Sequence, residues 1–135
     1  MKLFLLAASL KKSSLNKKLI NVCTNYLSSK QHEVDLHQMD EFDVPLYNGD
    51  IQSEQGIPDN AKKLVELMKS ADKIIFSVPE YNYSTPGIFK NLVDWVSRMR
   101  PMPWKGLRIL LISASTSGSG GHRGHFQTRI PLEGC

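Results

Sequence analysis

The sequence predicts an α/β protein with a mostly parallel sheet covered by helices on both faces, and two observations carry that expectation. Lys2–Ala8, Lys73–Val78 and Gly106–Ser113 hold runs of consecutive apolar residues rather than alternating patterns, as strands buried on both faces do. The segments between them carry apolar residues at helical spacing, so strands and helices alternate along the chain. Such alternation implies parallel strands joined by right-handed crossovers.

The elements follow in order. A strand is expected at 2–8, then a polar turn, then a helix over 14–29 capped by Ser13 or Ser14, with Leu15, Leu19, Val22, Cys23 and Tyr26 as its apolar stripe. A second strand is expected at 32–36, followed by a connection from Asp40 to Pro58 without clear structure, long enough to be a functional lid or an interface segment. A helix over 58–70 leads to a strand at 73–78. The next helix, 86–99, has Thr85 placed to cap it and Pro86 in its first position, where a missing N–H costs nothing. Ile88, Leu92, Trp95, Val96 and Met99 form its stripe, Trp95 and Phe89 belong to the core, and Lys90 and Asp94 are spaced as a solvated helix pair. A strand at 107–113 and a helix starting near 121 complete the series.

Composition narrows the class. With 135 residues and 41% apolar content, the chain is expected to form one domain with its own core. The opening apolar strand is too short for a membrane helix and lacks the layout of a signal peptide. Two cysteines, Cys23 and Cys135, make a poor disulfide framework and suit a reducing cytoplasm. A net charge of +4 raises nucleic acid as a partner, but the basic residues are spread along the chain and no nucleic-acid module is recognisable.

Three loops concentrate polar chemistry where the strands end, which is where open α/β sheets bind ligands. After the first strand, Ser9-Leu10-Lys11-Lys12-Ser13-Ser14-Leu15-Asn16 leads into a helix N-terminus, whose dipole and free N–H groups favour an anion such as phosphate. After the third, Pro79-Glu80-Tyr81-Asn82-Tyr83-Ser84 offers a stiff backbone, hydrogen-bonding side chains and two phenol rings. After the fourth, Ser115 through Gly124 is rich in glycine and serine, including Gly118, Gly120 and Gly121, which let backbone approach a planar ring closely. His122 and His125 stand three apart, without the cysteine or carboxylate cluster that a metal site would add.

These motifs carry a family resemblance. Pro79, Glu80, Tyr81, Asn82, Ser84, Pro86, Gly87, Lys90, Asn91, Asp94 and Trp95 stand in a pattern that resembles the signature of the NAD(P)H-dependent FMN reductases. Ser9, Lys11, Ser14 and Asn16 resemble that family's phosphate loop, although position 11 is more often Arg there, and Lys gives up the bidentate fork. The Ser-Ala-Ser run at 113–115 followed by Gly120-Gly121-x-Arg123 resembles its third loop, and Asp43–Asn48 loosely resembles its loop over the site.

The resemblance implies a flavodoxin-like, three-layer α/β/α fold with strand order 2-1-3-4 and a fifth strand apparently missing, so that the strand at 107–113 becomes an edge. It implies FMN as cofactor, with Ser9, Lys11, Ser14, Leu15 and Asn16 at its phosphate. The ring would contact Pro79, Glu80, Tyr81, Asn82, Tyr83 and Ser84, flanked by Ser115, Gly118, Gly120 and Gly121. It implies NADPH or NADH as a small-molecule electron donor, ping-pong kinetics, and a small acceptor such as a flavin, quinone, azo compound or metal oxyanion. No catalytic side chain is expected, because the cofactor carries the redox chemistry. A homodimer or homotetramer is expected, with neither nucleic acid nor membrane as partner. The rival readings are a flavodoxin-type electron carrier, which the basic charge disfavours, and a truncated flavin-binding or interaction module.

Overall fold

The computed structural model describes residues 1–135. Strands β1 (Lys2–Ala7), β2 (Glu33–Gln38), β3 (Lys73–Ser77) and β4 (Ile109–Ile112) form one sheet in the order β2-β1-β3-β4. Every pairing is parallel, with Leu5 opposite both Leu36 and Ile75, and Ile75 opposite Leu110. The helices are α1 (Leu15–Ser29), α2 (Gly49–Gln55), α3 (Asp59–Lys69), α4 (Gly87–Val96) and α5 (His122–Gly134).

Successive strand side chains point to opposite faces, and the sheet sorts its apolar residues accordingly. Phe4, Leu6, Ile74 and Phe76 join α3 and α4 in a cluster of 19 buried residues that includes Trp95 and Leu92. Leu3, Leu5, Ala7 and Ile75 face the other way and meet Ile20 of α1 in a cluster of five. Trp95 and Phe89 are buried as expected, and burial of each such side chain contributes ~1.5–3 kcal/mol. Lys90 and Asp94 pair at 2.7 Å on the exposed side of α4. β4 is an edge strand, and its Leu110 is 55% exposed.

Four expectations are corrected. The α1 stripe is rotated: Asn16 and Ile20 are buried, with Cys23 and Leu27 packed beside them, while Leu15, Val22 and Tyr26 are exposed. The cause is a buried amide, Asn16, whose hydrogen bonds to the sheet fix the helix's rotation. Thr85 does not cap α4; Pro86 takes the cap position without a side-chain bond, and the helix is shorter, at Gly87–Val96. The connection after β2 is structured, because Met39–Phe42 forms a 3-10 turn and Asn48 caps α2 by accepting from the Asp50 N–H at 2.8 Å. Finally, β2 runs to Gln38 and β4 is confined to 109–112.

A candidate site where three loops meet

Residues 8–14 leave β1 and turn into α1, with the Ser14 N–H donating to the Lys11 carbonyl at 3.1 Å. Ser14 is the N-cap: its hydroxyl accepts from the Asn16 N–H at 3.2 Å. Asn16 is buried and committed to the protein. Its side-chain oxygen accepts from the Ser77 hydroxyl at 3.0 Å and from the Ala114 N–H at 3.1 Å. Its amide nitrogen donates to the Ala114 carbonyl at 3.0 Å. One side chain therefore ties the helix start to the ends of β3 and β4. Asn16 was expected as a phosphate donor; one of the two N–H groups of its amide is engaged by the Ala114 carbonyl in holding the loops together. Ser9 is 2% exposed and its hydroxyl has no partner within the protein, a buried polar group that awaits one.

The second loop leaves β3 through buried Pro79 and closes a tight turn in which Tyr81 and Ser84 exchange backbone hydrogen bonds, both at 3.0 Å. Asn82 and Tyr83 occupy the turn with φ of 50° and 62°, the left-handed pair that a type I′ turn requires and that glycine or asparagine usually supplies. Tyr81 and Tyr83 are exposed.

The third loop runs from Ala114, held at both backbone groups by Asn16, into a chain of hydroxyls in which Ser115 and Ser117 lie 3.0 Å apart and Ser117 and Ser119 lie 2.9 Å apart. Gly121, at φ 87°, caps α5 without a side chain and sits against Ser113, where any Cβ would collide.

Together the loops enclose a concavity of about 190 Å³ lined by Lys11, Ser13, Ser14, Leu15, Asn16, Pro79, Glu80, Tyr81, Ala114, Ser115 and Thr116. Of the residues read from the sequence, Lys11, Ser14, Leu15, Asn16, Pro79, Glu80, Tyr81 and Ser115 are brought together there. Ser9 and the outer turn residues Asn82, Tyr83 and Ser84 are not among its lining, nor are Gly118, Gly120 and Gly121. A larger hollow of about 380 Å³ between β4 and α5, walled by Trp104, Leu107, Ile109, Leu111 and Leu132, shares no residue with it.

Sequence reasoning missed Ser77 and Ala114, the partners of Asn16. The available signal was a lone serine in the apolar run Lys73–Val78, since a buried hydroxyl requires a partner. It also missed what the second half of the 79–95 motif does. Asn91 accepts from the Tyr47 N–H at 2.8 Å and donates to the Pro45 carbonyl at 3.0 Å. Trp95 Nε1 donates to the same carbonyl at 2.7 Å, and the Arg98 guanidinium lies 4.5 Å from the centre of the Tyr47 ring. Asp43–Asn48 is thus pinned to α4.

A parallel 2-1-3-4 sheet, a helix N-terminus behind a serine-lysine loop and two further loops at the same sheet edge define a flavodoxin-like domain. All of residues 1–135 match the family described as NADPH-dependent FMN reductase, and the chain belongs to that family. It is 40% identical over 87 residues to a quinone reductase of Escherichia coli, covering 64% of this chain and 46% of that protein. It is 33% identical over 124 residues to a probable NADPH:quinone oxidoreductase of Oryza sativa, covering 92% of this chain and 60% of that one. The chain thus spans about half the length of the first of these relatives and more of the second. Among solved structures, the flavoenzyme NAD(P)H:(acceptor) oxidoreductase FerB of Paracoccus denitrificans superposes with a TM-score of 0.79 at 29% identity, over 98% of this chain and 71% of that one.

Proposed function

We propose that the three-loop concavity binds FMN and that the chain serves as an NAD(P)H-dependent oxidoreductase that reduces a small acceptor such as a quinone or flavin. The observation that carries this reading is the polar cradle at the start of α1, where Lys11, Ser13 and Ser14 line the hollow, behind which the buried Ser9 hydroxyl of the same loop lacks a protein partner. These donors suit a phosphate dianion, and the helix N-terminus adds favourable partial charge. FMN, when bound, supplies reversible two-electron exchange.

The chain's own residues bind and orient. Lys11 neutralises phosphate charge as a point charge, and the Asn16 clamp keeps the α1 terminus in register with the loops after β3 and β4. Pro79 and Tyr81 line the same hollow, where a planar ring would rest against backbone. The polar turn Asn82–Ser84 and the hydroxyls of Ser115 to Ser119 offer hydrogen-bonding groups around the rim. Glycines 118, 120 and 121 let that rim stay low, so a nicotinamide donor and then an acceptor could reach the same open face in turn.

The rest of the proposal has separate supports. A homodimer or homotetramer is favoured by apolar side chains left on the surface, Val22 and Tyr26 on α1 and Phe126 and Ile130 on α5. Cytoplasmic residence is favoured by two unpaired cysteines, Cys23 and Cys135. No helix is long and apolar enough to cross a membrane. A single domain is favoured because both apolar clusters share the same strands.

The test is a visible spectrum of the purified protein after loading with FMN and desalting, followed by anaerobic NADPH or NADH. Retained yellow colour that bleaches is the expected result, and the faster donor identifies the nicotinamide preference. Flavin that washes out completely overturns the reading for this chain, and retained flavin that neither donor bleaches points to an electron carrier.

A further inference from the structure

We infer that Glu80 acts as a positioning residue, shaping the ring loop by capping α5; this rests on the FMN reading above. The Glu80 carboxylate accepts from the Gly124 N–H at 2.7 Å across 44 residues of sequence. Gly124 is the third residue of α5, the position whose N–H an N-cap side chain normally serves. The formal cap, Gly121, has no side chain to offer, so the loop after β3 supplies the missing acceptor and places a negative charge at the positive end of the helix. The approach is close. A Cβ on Gly124 would lie 2.9 Å from the Glu80 Cβ and 3.1 Å from its Cα, so only glycine lets the first turn of α5 rest directly on the loop.

The neighbouring residue grips the same loop a second time. The Arg123 guanidinium lies 4.6 Å from the centre of the Tyr83 ring, within cation–π range. Glu80 precedes the turn and Tyr83 lies inside it, so consecutive residues of α5 hold both. The turn needs holding, because Asn82 and Tyr83 both take positive φ, a conformation unfavourable for a bulky residue unless its surroundings impose it. The carboxylate of Glu80 is therefore directed at the helix, and its service to a flavin is indirect.

The inference is tested with Glu80→Ala, Glu80→Gln and Gly124→Ala, each first checked for a cooperative thermal transition. Glutamine keeps an acceptor for Gly124 and should rescue, whereas alanine should not. In the flavin-free protein, hydrogen exchange at the Tyr81 and Ser84 amides, which bond across the turn, should accelerate in E80A and G124A but not in E80Q. The Asn16 amide should stay unchanged. Affinity for FMN and for riboflavin should fall together, about tenfold, in E80A, since the ring end is disturbed and the phosphate end is not.

Unchanged exchange at Tyr81 and Ser84 in E80A would overturn the inference. So would E80Q binding flavin as weakly as E80A, because that result would place the charge directly on the ligand. If the unsubstituted protein binds neither flavin, the FMN reading fails on its own and the exchange data still decide whether Glu80 shapes the loop.

Discussion

The start of α1 and the loop after β3 form two walls of the same concavity and are fastened differently. The α1 wall is fixed by one buried amide, Asn16, with three hydrogen bonds to Ser77 and Ala114. The second wall is fixed by the half-buried Glu80 carboxylate on Gly124 and by a guanidinium stacked on an exposed ring. Water reaches the contacts of the second wall freely, whereas at the first the Ser77 hydroxyl is fully buried and only the Ala114 groups border the concavity, so removing Asn16 leaves a buried hydroxyl unpaired. A rigid wall suits a phosphate, whose size is invariant. A wall held by solvent-accessible contacts suits a planar ring over which donor and acceptor come and go.

The largest effect expected from breaking this contrast belongs to Asn16→Ala. It strips partners from the Ser77 hydroxyl and from both backbone groups of Ala114, and should cost ~2–4 kcal/mol in urea unfolding, read as a lower midpoint at unchanged slope. Asn16→Asp keeps both acceptor contacts but sets a carboxylate oxygen against the Ala114 carbonyl and buries a charge, so it should cost as much, ~2–4 kcal/mol. An Asn16→Ala midpoint equal to that of the unsubstituted chain would abolish the distinction between the walls.

Lys11→Ala is expected to do the reverse. The Lys11 side chain is exposed and makes no hydrogen bond or ion pair within the protein, so unfolding should move by less than ~0.5 kcal/mol. FMN affinity in a fluorescence titration should nevertheless fall about five- to tenfold, the loss of roughly 1–1.4 kcal/mol from one charge-assisted contact. Riboflavin, lacking the phosphate, should bind as before. Equal weakening of both flavins would move the phosphate away from Lys11.

Much of this was legible in the sequence because it is local. Consecutive apolar residues, a serine cap and a proline-glycine helix start each declare themselves within a few positions, and they give the alternating strands and helices and the three loops, while the strand order 2-1-3-4 came with the family resemblance. The dense pattern from Pro79 to Trp95 added the family. What was hidden depends on contacts across the fold. The rotation of α1 is set by Asn16 reaching Ser77 and Ala114, 61 and 98 residues away, and counting apolar residues instead selected Leu15, Val22 and Tyr26, which are exposed. The meaning of Gly124 lies in Glu80, and that of Asn91 and Trp95 in Pro45; no spacing within one helix reveals either pairing.

The smallest expected effect lies outside both walls and serves as their control. Glu41 follows β2, and although burial raises its pKa, the hydrogen bonds from His37 and the Gln38 N–H and the charges of His37 and Lys63 outweigh burial and hold it below its ordinary 4.5. A carboxylate whose pKa is lower in the folded chain adds stability that is fully present above about pH 4.5 and is lost as pH falls through the folded value. Because about a third of the Glu41 side chain (36%) is open to solvent, which screens the pairing, that contribution should be only ~0.5 kcal/mol. Glu41→Gln should flatten this part of the stability profile between pH 6 and pH 4 while leaving amide exchange at Asn16, Tyr81 and Ser84 unchanged at pH 7. If acid loosened the Asn16 amide as readily in Glu41→Gln as in the unsubstituted chain, the α1 wall would itself respond to a titrating group, and its rigidity could not be assigned to uncharged hydrogen bonds.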